Sequence, residues 1–290
     1  MSSAGKQFRE AVKSAQPLQV VGVINAYFAV MAEKVGFQAL YLSGAGVANA
    51  SLGLPDLGMS ELEDVLTDAQ RIVRATSLPL LVDIDTGWDN ITQTIQVFEA
   101  AGVAAVQIED QIAAKRCGHR PNKVLVRTQE MVERVKEAVA ARKQDDFVIM
   151  ARTDAVAVEG MDAAIARAQA YVDAGADMIF AEALTDLSQY RTFKDQLSVP
   201  ILANMTEFGK TQLFHKQDLY QAGADIVLYP LSTFRSASAA VLSVLESIHT
   251  RGDQNAILDL MQTRESLYDF LNYEKLEQDL DKTLKHERQG

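Results

Sequence analysis

The stretch AGADMI at residues 174–179 recurs with small changes along the chain, as AGADIV at 222–227, AGVAAV at 101–106 and VGFQAL at 35–40. In each copy a segment with helical periodicity ends at a glycine, and a short apolar run begins directly after it. Glycine is favoured there because the residue that closes a helix often needs a left-handed backbone. The repeat predicts a chain built from alternating helices and strands.

Eight apolar runs follow this alternation. They lie near residues 18–24, 38–43, 79–84, 104–109, 147–152, 177–182, 199–204 and 225–230. The runs are continuous rather than alternating, which indicates strands covered on both faces. The intervening segments, such as 59–76, 128–143 and 161–175, carry apolar residues at the spacing typical of amphipathic helices. Eight strand–helix units favour a closed (β/α)8 TIM barrel. The alternative, an open doubly wound sheet, usually has GxGxxG after its first strand, whereas this chain has GVINAYFA.

Length and composition are compatible with a single barrel domain over residues 1–290, with a helical C-terminal extension at about 253–290. No apolar run approaches the ~20 residues that a membrane helix needs, and the N-terminus lacks the order of a signal peptide. The single cysteine cannot form an internal disulfide, so we expect a cytoplasmic location. The net charge is −11 and there is no tract rich in Lys or Arg, which argues against nucleic acid as a partner.

Carboxylates cluster after the third and fourth strands. The motif VDIDTG places Asp83 and Asp85 two residues apart, a spacing that puts side chains on one face of a strand. Burying both is costly unless a cation joins them. Oxygen ligands of this kind suit Mg²⁺, with Mn²⁺ as an alternative, and Glu109 and Asp110 offer a third source of carboxylate. The competing interpretation is that these are solvated or helix-capping acids.

Three arginines predict a small polyanionic substrate, because the planar guanidinium binds carboxylates in a bidentate way. Arg152 closes the fifth strand, Arg235 follows the eighth, and Arg264 comes from the C-terminal extension. Taken singly, each could be an ordinary surface arginine. Other strand ends supply polar or small residues that could approach an anion, namely Glu182, Asn204, Ser43, Gly44 and Ala45.

The only cysteine, Cys117, lies in KRCGHRPNK at 115–123, within a long loop at about 110–127. Nearby cations lower the pKa of a thiol, and a thiol with a pKa near neutrality can transfer a proton. The alternative is an inert buried thiol, but the surroundings of Cys117 are polar. Gly118 would act as a hinge that lets the loop close over substrate, and His119 would shape the loop. A metal, arginines and an acidic thiol together fit retro-aldol C–C cleavage of a hydroxy-polycarboxylate.

A set of motifs carries a family resemblance from about residue 6 to residue 280, namely VDIDTG, QIEDQ, KRCGHRPNK, MARTDA, NMTEFG, LYPLSTFR and MQTRESLY. In this order they resemble the isocitrate lyase and phosphoenolpyruvate mutase superfamily, and within it the methylisocitrate lyase family of the methylcitrate cycle. The resemblance implies a (β/α)8 barrel and Mg²⁺-dependent cleavage of 2-methylisocitrate, a tricarboxylate of propionate catabolism, to pyruvate and succinate. It also implies a homotetramer whose C-terminal helices swap between subunits.

The resemblance also implies roles for individual residues. Asp83 and Asp85 would hold the metal, mainly through water, and Glu109 would support them in catalysis. Cys117 would protonate the succinate carbanion, and Tyr41 would assist deprotonation of the substrate hydroxyl. The residues implied to contact substrate are Ser43, Gly44, Ala45, Gly118, His119, Arg152, Glu182, Asn204, Met205, Thr206, Arg235 and Arg264.

Two alternative functions stay open at this point. One is a related reaction of the superfamily, on isocitrate, oxaloacetate or a phosphoenolpyruvate-type substrate. The other is a non-catalytic barrel kept for oligomeric binding, although such a protein would need neither the metal acids nor Cys117.

Overall fold

The computed structural model of this protein describes residues 2–116, 118–119 and 122–287. Within these residues the core is a closed barrel of eight parallel strands in sequential order, β1 to β8. The strands are β1 Leu18–Gly22, β2 Ala39–Leu42, β3 Leu80–Asp83, β4 Ala105–Glu109, β5 Val148–Thr153, β6 Met178–Ala181, β7 Ile201–Asn204 and β8 Ile226–Tyr229. Strand β1 closes the barrel by pairing with β8 in the register Val20 with Leu228. The predicted (β/α)8 barrel is confirmed, and each strand lies within its predicted run except β5, which extends one residue further, to Thr153.

Helices surround the barrel and connect successive strands. They are α1 Ala4–Ser14, α2 Ala26–Val35, α3 Gly44–Gly46, α4 Leu62–Ala75, α5 Ile91–Ala100, α6 Thr128–Ala141, α7 Val156–Glu159, α8 Met161–Asp173, α9 Leu187–Gln196, α10 Lys216–Gln221, α11 Ser232–Arg251, α12 Arg264–Phe270 and α13 Tyr273–Glu287. A π-helical turn at Val47–Ser51 and a 3₁₀ turn at Asn255–Leu260 complete the set. Helix α2 ends at Gly36, whose φ is +103°, as the repeated glycine motif predicts.

Two apolar layers stabilise the barrel. One lies inside it, where strand residues such as Val20, Leu81 and Met150 are fully buried. Helix α1 adds Phe8 to this inner layer. The other layer lies between the outer face of the strands and the helices. With the interior filled by side chains, polar groups that follow the strands collect at the carboxyl ends of the barrel, as is usual for this fold.

The described chain forms two compact units, Met1–Phe234 and Arg235–Gly290. The first contains the whole barrel and the second contains most of α11 with α12 and α13. The helical character expected for the C-terminal extension is confirmed. A single barrel domain with an extension from about residue 253 stays a prediction.

Among the described residues, no helix combines the length and the apolar character required to cross a bilayer.

Candidate active site

Two buried carboxylates follow strand β3. Asp83 ends the strand, and its side chain accepts hydrogen bonds from the backbone N–H groups of Gly44 at 3.2 Å and of Asp85 at 3.1 Å. Asp85 lies beyond the strand with φ +51°, an uncommon backbone conformation for an aspartate. Strand alternation therefore does not place these two side chains, contrary to the sequence argument. They still converge, since a Cβ on Gly44 would lie 3.0 Å from Asp85 Oδ1 and 3.3 Å from Asp83 Oδ2.

Lys115, from the loop after β4, places its ammonium group against this pair. It contacts Asp85 Oδ1 and stands 3.0 Å from Asp56 Oδ1, in the loop after β2. Burial raises the pKa of Asp85 to about 6; Lys115 lowers it and the charge of Asp83 raises it. The paired aspartates therefore attract positive charge. From the sequence, Lys115 is expected only as one of the cations around Cys117, and Asp56 is not among the predicted residues.

Tyr41 lies beside Asp83 inside the barrel. Its hydroxyl is 3.1 Å from Gln107 Oε1 and 3.3 Å from Asp83 Oδ2, and it can donate its proton to one of them at a time. Burial, and then the charge of Asp83, raises the pKa of Tyr41 well above its ordinary value. The phenol therefore keeps its proton at neutral pH and acts as a hydrogen-bond donor.

Glu109, at the end of β4, is a buried carboxylate without hydrogen bonds. No described donor reaches either carboxylate oxygen in hydrogen-bonding geometry, and the nearest cation is Arg152 Nε at 3.4 Å from Oε2. Burial raises the pKa of Glu109 well above its ordinary value, although Arg152 and Lys115 lower it. Buried polar groups are nearly always paired in native proteins, so these two oxygens mark a place where a further polar ligand fits.

Arg152 is surrounded by three carboxylates at the ends of β4, β5 and β6. Its Nε donates to Asp154 Oδ2 at 2.9 Å, and its Nη2 lies 3.3 Å from Glu182 Oε2. The third carboxylate is that of Glu109. The guanidinium also lies over the ring of Phe180, with 5.0 Å between Arg152 Cζ and the ring centroid. This arginine is one of the residues predicted from the sequence, and the structure places it at the barrel mouth.

Part of the KRCGHRPNK loop packs directly on Arg152 and Glu182. A Cβ on Gly118 would lie 2.5 Å from both Arg152 Nη2 and Glu182 Cγ, so a side chain at this position would require the loop or its neighbours to move. His119 brings its Nε2 to 3.2 Å from Glu182 Oε1, while its Nδ1 accepts a hydrogen bond from the Lys210 backbone at 3.0 Å. Burial lowers the pKa of His119, although Glu182 raises it. The imidazole is therefore neutral, with its proton on Nε2.

The other residues of the first unit that the sequence predicts to contact substrate are Asn204, Thr206, Ser43, Ala45 and Met205. Asn204 Nδ2 stands 3.3 Å from Glu182 Oε2, and the Thr206 hydroxyl donates to Asn204 Oδ1 at 3.1 Å. Ser43 caps α3, since its Oγ accepts a hydrogen bond from the N–H of Gly46, and Ala45 lies partly buried in that short helix. Met205 packs in the outer apolar core, so its side chain does not line the mouth.

Asp110 differs from the expectation that it supplies a metal carboxylate. It is fully buried, and its oxygens accept hydrogen bonds from Thr153 Oγ1 at 2.7 Å, Tyr171 OH at 2.9 Å and the Asp154 backbone at 2.9 Å. Burial raises the pKa of Asp110. The side chain turns away from Asp83 and Asp85 because successive residues at a strand end point in opposite directions. Asp110 therefore stabilises the end of β5 through these hydrogen bonds.

The roles of three predicted residues are not tested by this geometry. Cys117 lies outside the described residues, between Arg116 and Gly118, which lie inside them. Arg235 and Arg264 belong to the second compact unit. Their roles stay predictions.

Comparison with known proteins agrees with the fold and the motifs. The family model described as phosphoenolpyruvate phosphomutase matches residues 8–249. The chain is 63% identical to a 2-methylisocitrate lyase of Shewanella oneidensis, over 99% of each chain. Among solved structures, a 2,3-dimethylmalate lyase matches with TM-score 0.87 and 33% identity, covering 100% of this chain and 96% of that one. A phosphonopyruvate hydrolase in complex with oxalate and Mg²⁺ matches with TM-score 0.82 and 27% identity, covering 95% of this chain and 97% of that one.

The family match covers most of the chain, and the 2,3-dimethylmalate lyase is described as a member of the PEP mutase/isocitrate lyase superfamily. The superfamily resemblance inferred from the motifs is thereby confirmed, and the chain belongs to the phosphoenolpyruvate phosphomutase family of that superfamily.

Proposed function

We propose that the chain is a carbon–carbon lyase that cleaves 2-methylisocitrate to pyruvate and succinate, a step of the methylcitrate cycle in propionate catabolism. The observation that carries the proposal is the 63% identity to a 2-methylisocitrate lyase over 99% of both chains. The barrel mouth agrees with it, because the described residues there include the paired aspartates, Arg152, Gly118 and His119.

A divalent cation fits the residues at β3 and β4. Glu109 has two buried oxygens without hydrogen-bond donors, the carboxylates of Asp83 and Asp85 converge beside the Gly44 backbone, and Asp85 already attracts the Lys115 ammonium. Among the described residues no group of three or more His, Cys, Asp or Glu side chains could hold a metal on its own. Mg²⁺ suits such a site, because it keeps several waters and uses few carboxylates; Mn²⁺ is an alternative. Asp83 and Asp85 would hold it, mainly through water, with Glu109 in support.

When bound, the cation would supply Lewis-acid stabilisation of negative charge on substrate oxygens. The protein residues have the complementary task of binding and orienting a trianion. Arg152 offers a guanidinium that is fixed by Asp154 and Glu182 and that can face a substrate carboxylate. The described residues of the barrel mouth include several carboxylates. Binding a trianionic substrate therefore requires more positive charge than Arg152 supplies. Arg235 and Arg264 would provide it.

The chemical step balances as a retro-aldol cleavage. The substrate hydroxyl loses its proton to solvent water, the bond between C2 and C3 breaks, and the C2 oxygen becomes the carbonyl of pyruvate. The bonding electron pair remains on C3 of the succinate fragment, and the Cys117 thiol protonates that carbon. Tyr41 would assist near the substrate hydroxyl as a donor, because its raised pKa makes it a poor base.

The direct test is to incubate the chain with Mg²⁺ and threo-2-methylisocitrate and to follow pyruvate. Isocitrate, assayed in parallel for glyoxylate and succinate, tests the non-methylated substrate, and oxaloacetate and phosphoenolpyruvate test the other superfamily reactions. Preference for any of these would replace the proposed activity. If none is turned over while Mg²⁺ still binds, the non-catalytic barrel is the better account.

Assembly and location complete the proposal. The second unit exposes apolar side chains on one face of α11, namely Val241, Leu242, Leu245 and Ile248. Such a face is usually covered by a partner, which supports a homotetramer with C-terminal helices exchanged between subunits. We place the enzyme in the cytoplasm because its single cysteine and its metabolic substrate suit a reducing compartment.

A further inference from the structure

Two charged residues of the quoted motifs have no role in the chemistry above, although they form a buried ion pair. Lys123 ends KRCGHRPNK and Asp154 belongs to MARTDA. Their Nζ and Oδ1 atoms are 2.6 Å apart, and the two side chains are 1% and 0% exposed. A buried ion pair adds little stability over apolar residues of the same size, because both charges lose their hydration. The pair is therefore more important for the groups that Lys123 and Asp154 each bind than for the stability of the fold.

Asp154 holds Arg152. Its Oδ2 accepts from Arg152 Nε at 2.9 Å and its Oδ1 from Arg152 Nη2 at 3.3 Å, so both carboxylate oxygens face the guanidinium. The backbone N–H of Asp154 donates to Asp110 Oδ1 at 2.9 Å, and Asp110 is itself held by Tyr171 at 2.9 Å. Asp154, whose carboxylate orients Arg152, is thus itself held in place by Asp110 and Tyr171.

Lys123 holds the loop. Its ammonium donates to the backbone carbonyl of Gly118 at 2.6 Å, in addition to its bond with Asp154. Gly118 is the residue that lies against Arg152 and Glu182 without space for a side chain. One ammonium group therefore joins the turn next to Cys117 to the carboxylate that orients Arg152.

We propose that the Lys123–Asp154 pair is a positioning unit that sets the Gly118 turn and the Arg152 guanidinium in a fixed mutual arrangement. Neither residue is a catalytic residue; each acts through the group that it holds. The inference rests on the proposed function, because only there do Arg152 and the Cys117 loop act on the same substrate.

The two partners have different kinetic signatures. Lys123→Met leaves the bonds between Asp154 and Arg152 intact, so KM should stay within about threefold while kcat falls about 100-fold, the cost of misplacing a reacting group by about 1 Å. Asp154→Asn also releases Arg152, so KM should rise about tenfold in addition to the fall in kcat. The double variant Lys123→Met/Asp154→Asn should lose no more than Asp154→Asn alone, because both substitutions disable one unit. General destabilisation would not separate KM from kcat in this way.

A control removes a partly exposed ion pair away from the mouth. Lys194 Nζ lies 2.8 Å from Asp225 Oδ2, next to the start of β8. Lys194→Met should leave kcat and KM unchanged.

Amide hydrogen exchange tests the positioning without substrate. In Lys123→Met, exchange in the 112–127 segment should become at least about tenfold faster, while exchange in β5 and β6 stays as in the wild type. If Lys123→Met does not fold, the double variant carries the same expectation. Wild-type kcat in Lys123→Met, or an equal rise of exchange in the loop and in β5, would overturn the proposal. If the wild type does not cleave 2-methylisocitrate, the proposed function fails, but the exchange experiment still decides the positioning role.

Discussion

The carboxylates of Asp83, Asp85 and Glu109 are buried at adjoining strand ends, where an uncompensated negative charge is costly. Lys115 compensates part of this charge at Asp85, but no described donor completes the hydrogen bonding of Glu109. A divalent cation would relieve the remaining charge. Metal binding is therefore expected to raise stability, because a ligand that binds only the folded state stabilises it.

Asp85→Ala should abolish the Mg²⁺-dependent rise in melting temperature. In the wild type, Mg²⁺ at about 100 times its Kd should add about 2.7 kcal/mol to the free energy of unfolding. The measurement is thermal melting with Mg²⁺ and with a chelator. Asp89→Ala, which removes an exposed aspartate from the same loop, is the control and should keep the shift. An undiminished shift in Asp85→Ala would remove Asp85 from the metal site.

Cys117→Ser should lower kcat about 10²–10⁴-fold, the usual contribution of a general acid. A serine hydroxyl has nearly the same size as the thiol but is a much weaker acid, so substrate binding should change little. Pyruvate release under saturating substrate gives kcat, and circular dichroism checks the fold. Near-wild-type turnover would show that another group delivers the proton.

Sequence reasoning found the polar residues at strand ends because a parallel barrel brings those ends together. Asp83, Asp85, Arg152 and Glu182 follow from that rule alone. It missed the pairs Lys115–Asp56 and Lys123–Asp154, and it misjudged Asp110. These outcomes depend on contacts between loops and strand ends that lie 31 to 59 residues apart, and on the direction of single side chains. Neither leaves a local pattern in the sequence.

The strands and most helices are predictable because the chain repeats one local pattern: a continuous apolar run, an amphipathic segment and a closing glycine. The sequence predicts a long loop at about 110–127, but not its packing against the loop after β2. Lys115 reaches Asp56 in the loop after β2, and a Cβ on Gly58 would meet the carbonyl of Ala113 at 2.7 Å. The two loops thus pack against each other, and Gly118 extends this packing to the ends of β5 and β6.

Gly118→Ala tests the close approach of the loop to the strand ends. The added methyl group would lie 2.5 Å from Arg152 Nη2, so the loop or the guanidinium must move. We expect kcat/KM to fall about 100-fold, with little change in melting temperature because the barrel core is untouched. Gly36→Ala is the control: its φ of +103° makes alanine costly by about 1 kcal/mol, but no atom lies within 4 Å of the new Cβ. It should lower stability and leave kcat/KM unchanged. Wild-type kcat/KM in Gly118→Ala would contradict the packing.

At the scale of the whole molecule, the helices of the second unit leave several apolar side chains exposed. Leu276 and Leu280 of α13 are exposed, as is the apolar face of α11. The domain boundary was predicted at about residue 253 because the helical pattern of α11 continues the barrel repeat. The sequence cannot indicate that most of this helix groups with the tail, since that depends on contacts rather than on periodicity.

Leu245→Glu should shift the assembly from tetramer towards smaller species. A buried leucine contributes about 1.5–3 kcal/mol, and each subunit would place a charge in the interface. Ser243→Glu, on the opposite and exposed face of the same helix, is the control and should keep the tetramer. Sedimentation velocity gives the masses. An unchanged tetramer in Leu245→Glu would exclude this face from the interface, and a monomeric wild type would contradict the proposed assembly.

The most direct test of the proposed chemistry is the isotope content of succinate formed from threo-2-methylisocitrate in D₂O with Mg²⁺. Delivery of a solvent-exchangeable proton from the loop to one face of the carbanion predicts one deuterium per succinate, in a single enantiomer, with one pyruvate per succinate. Racemic monodeuterated succinate, or succinate without deuterium, would contradict a positioned acid at the barrel mouth.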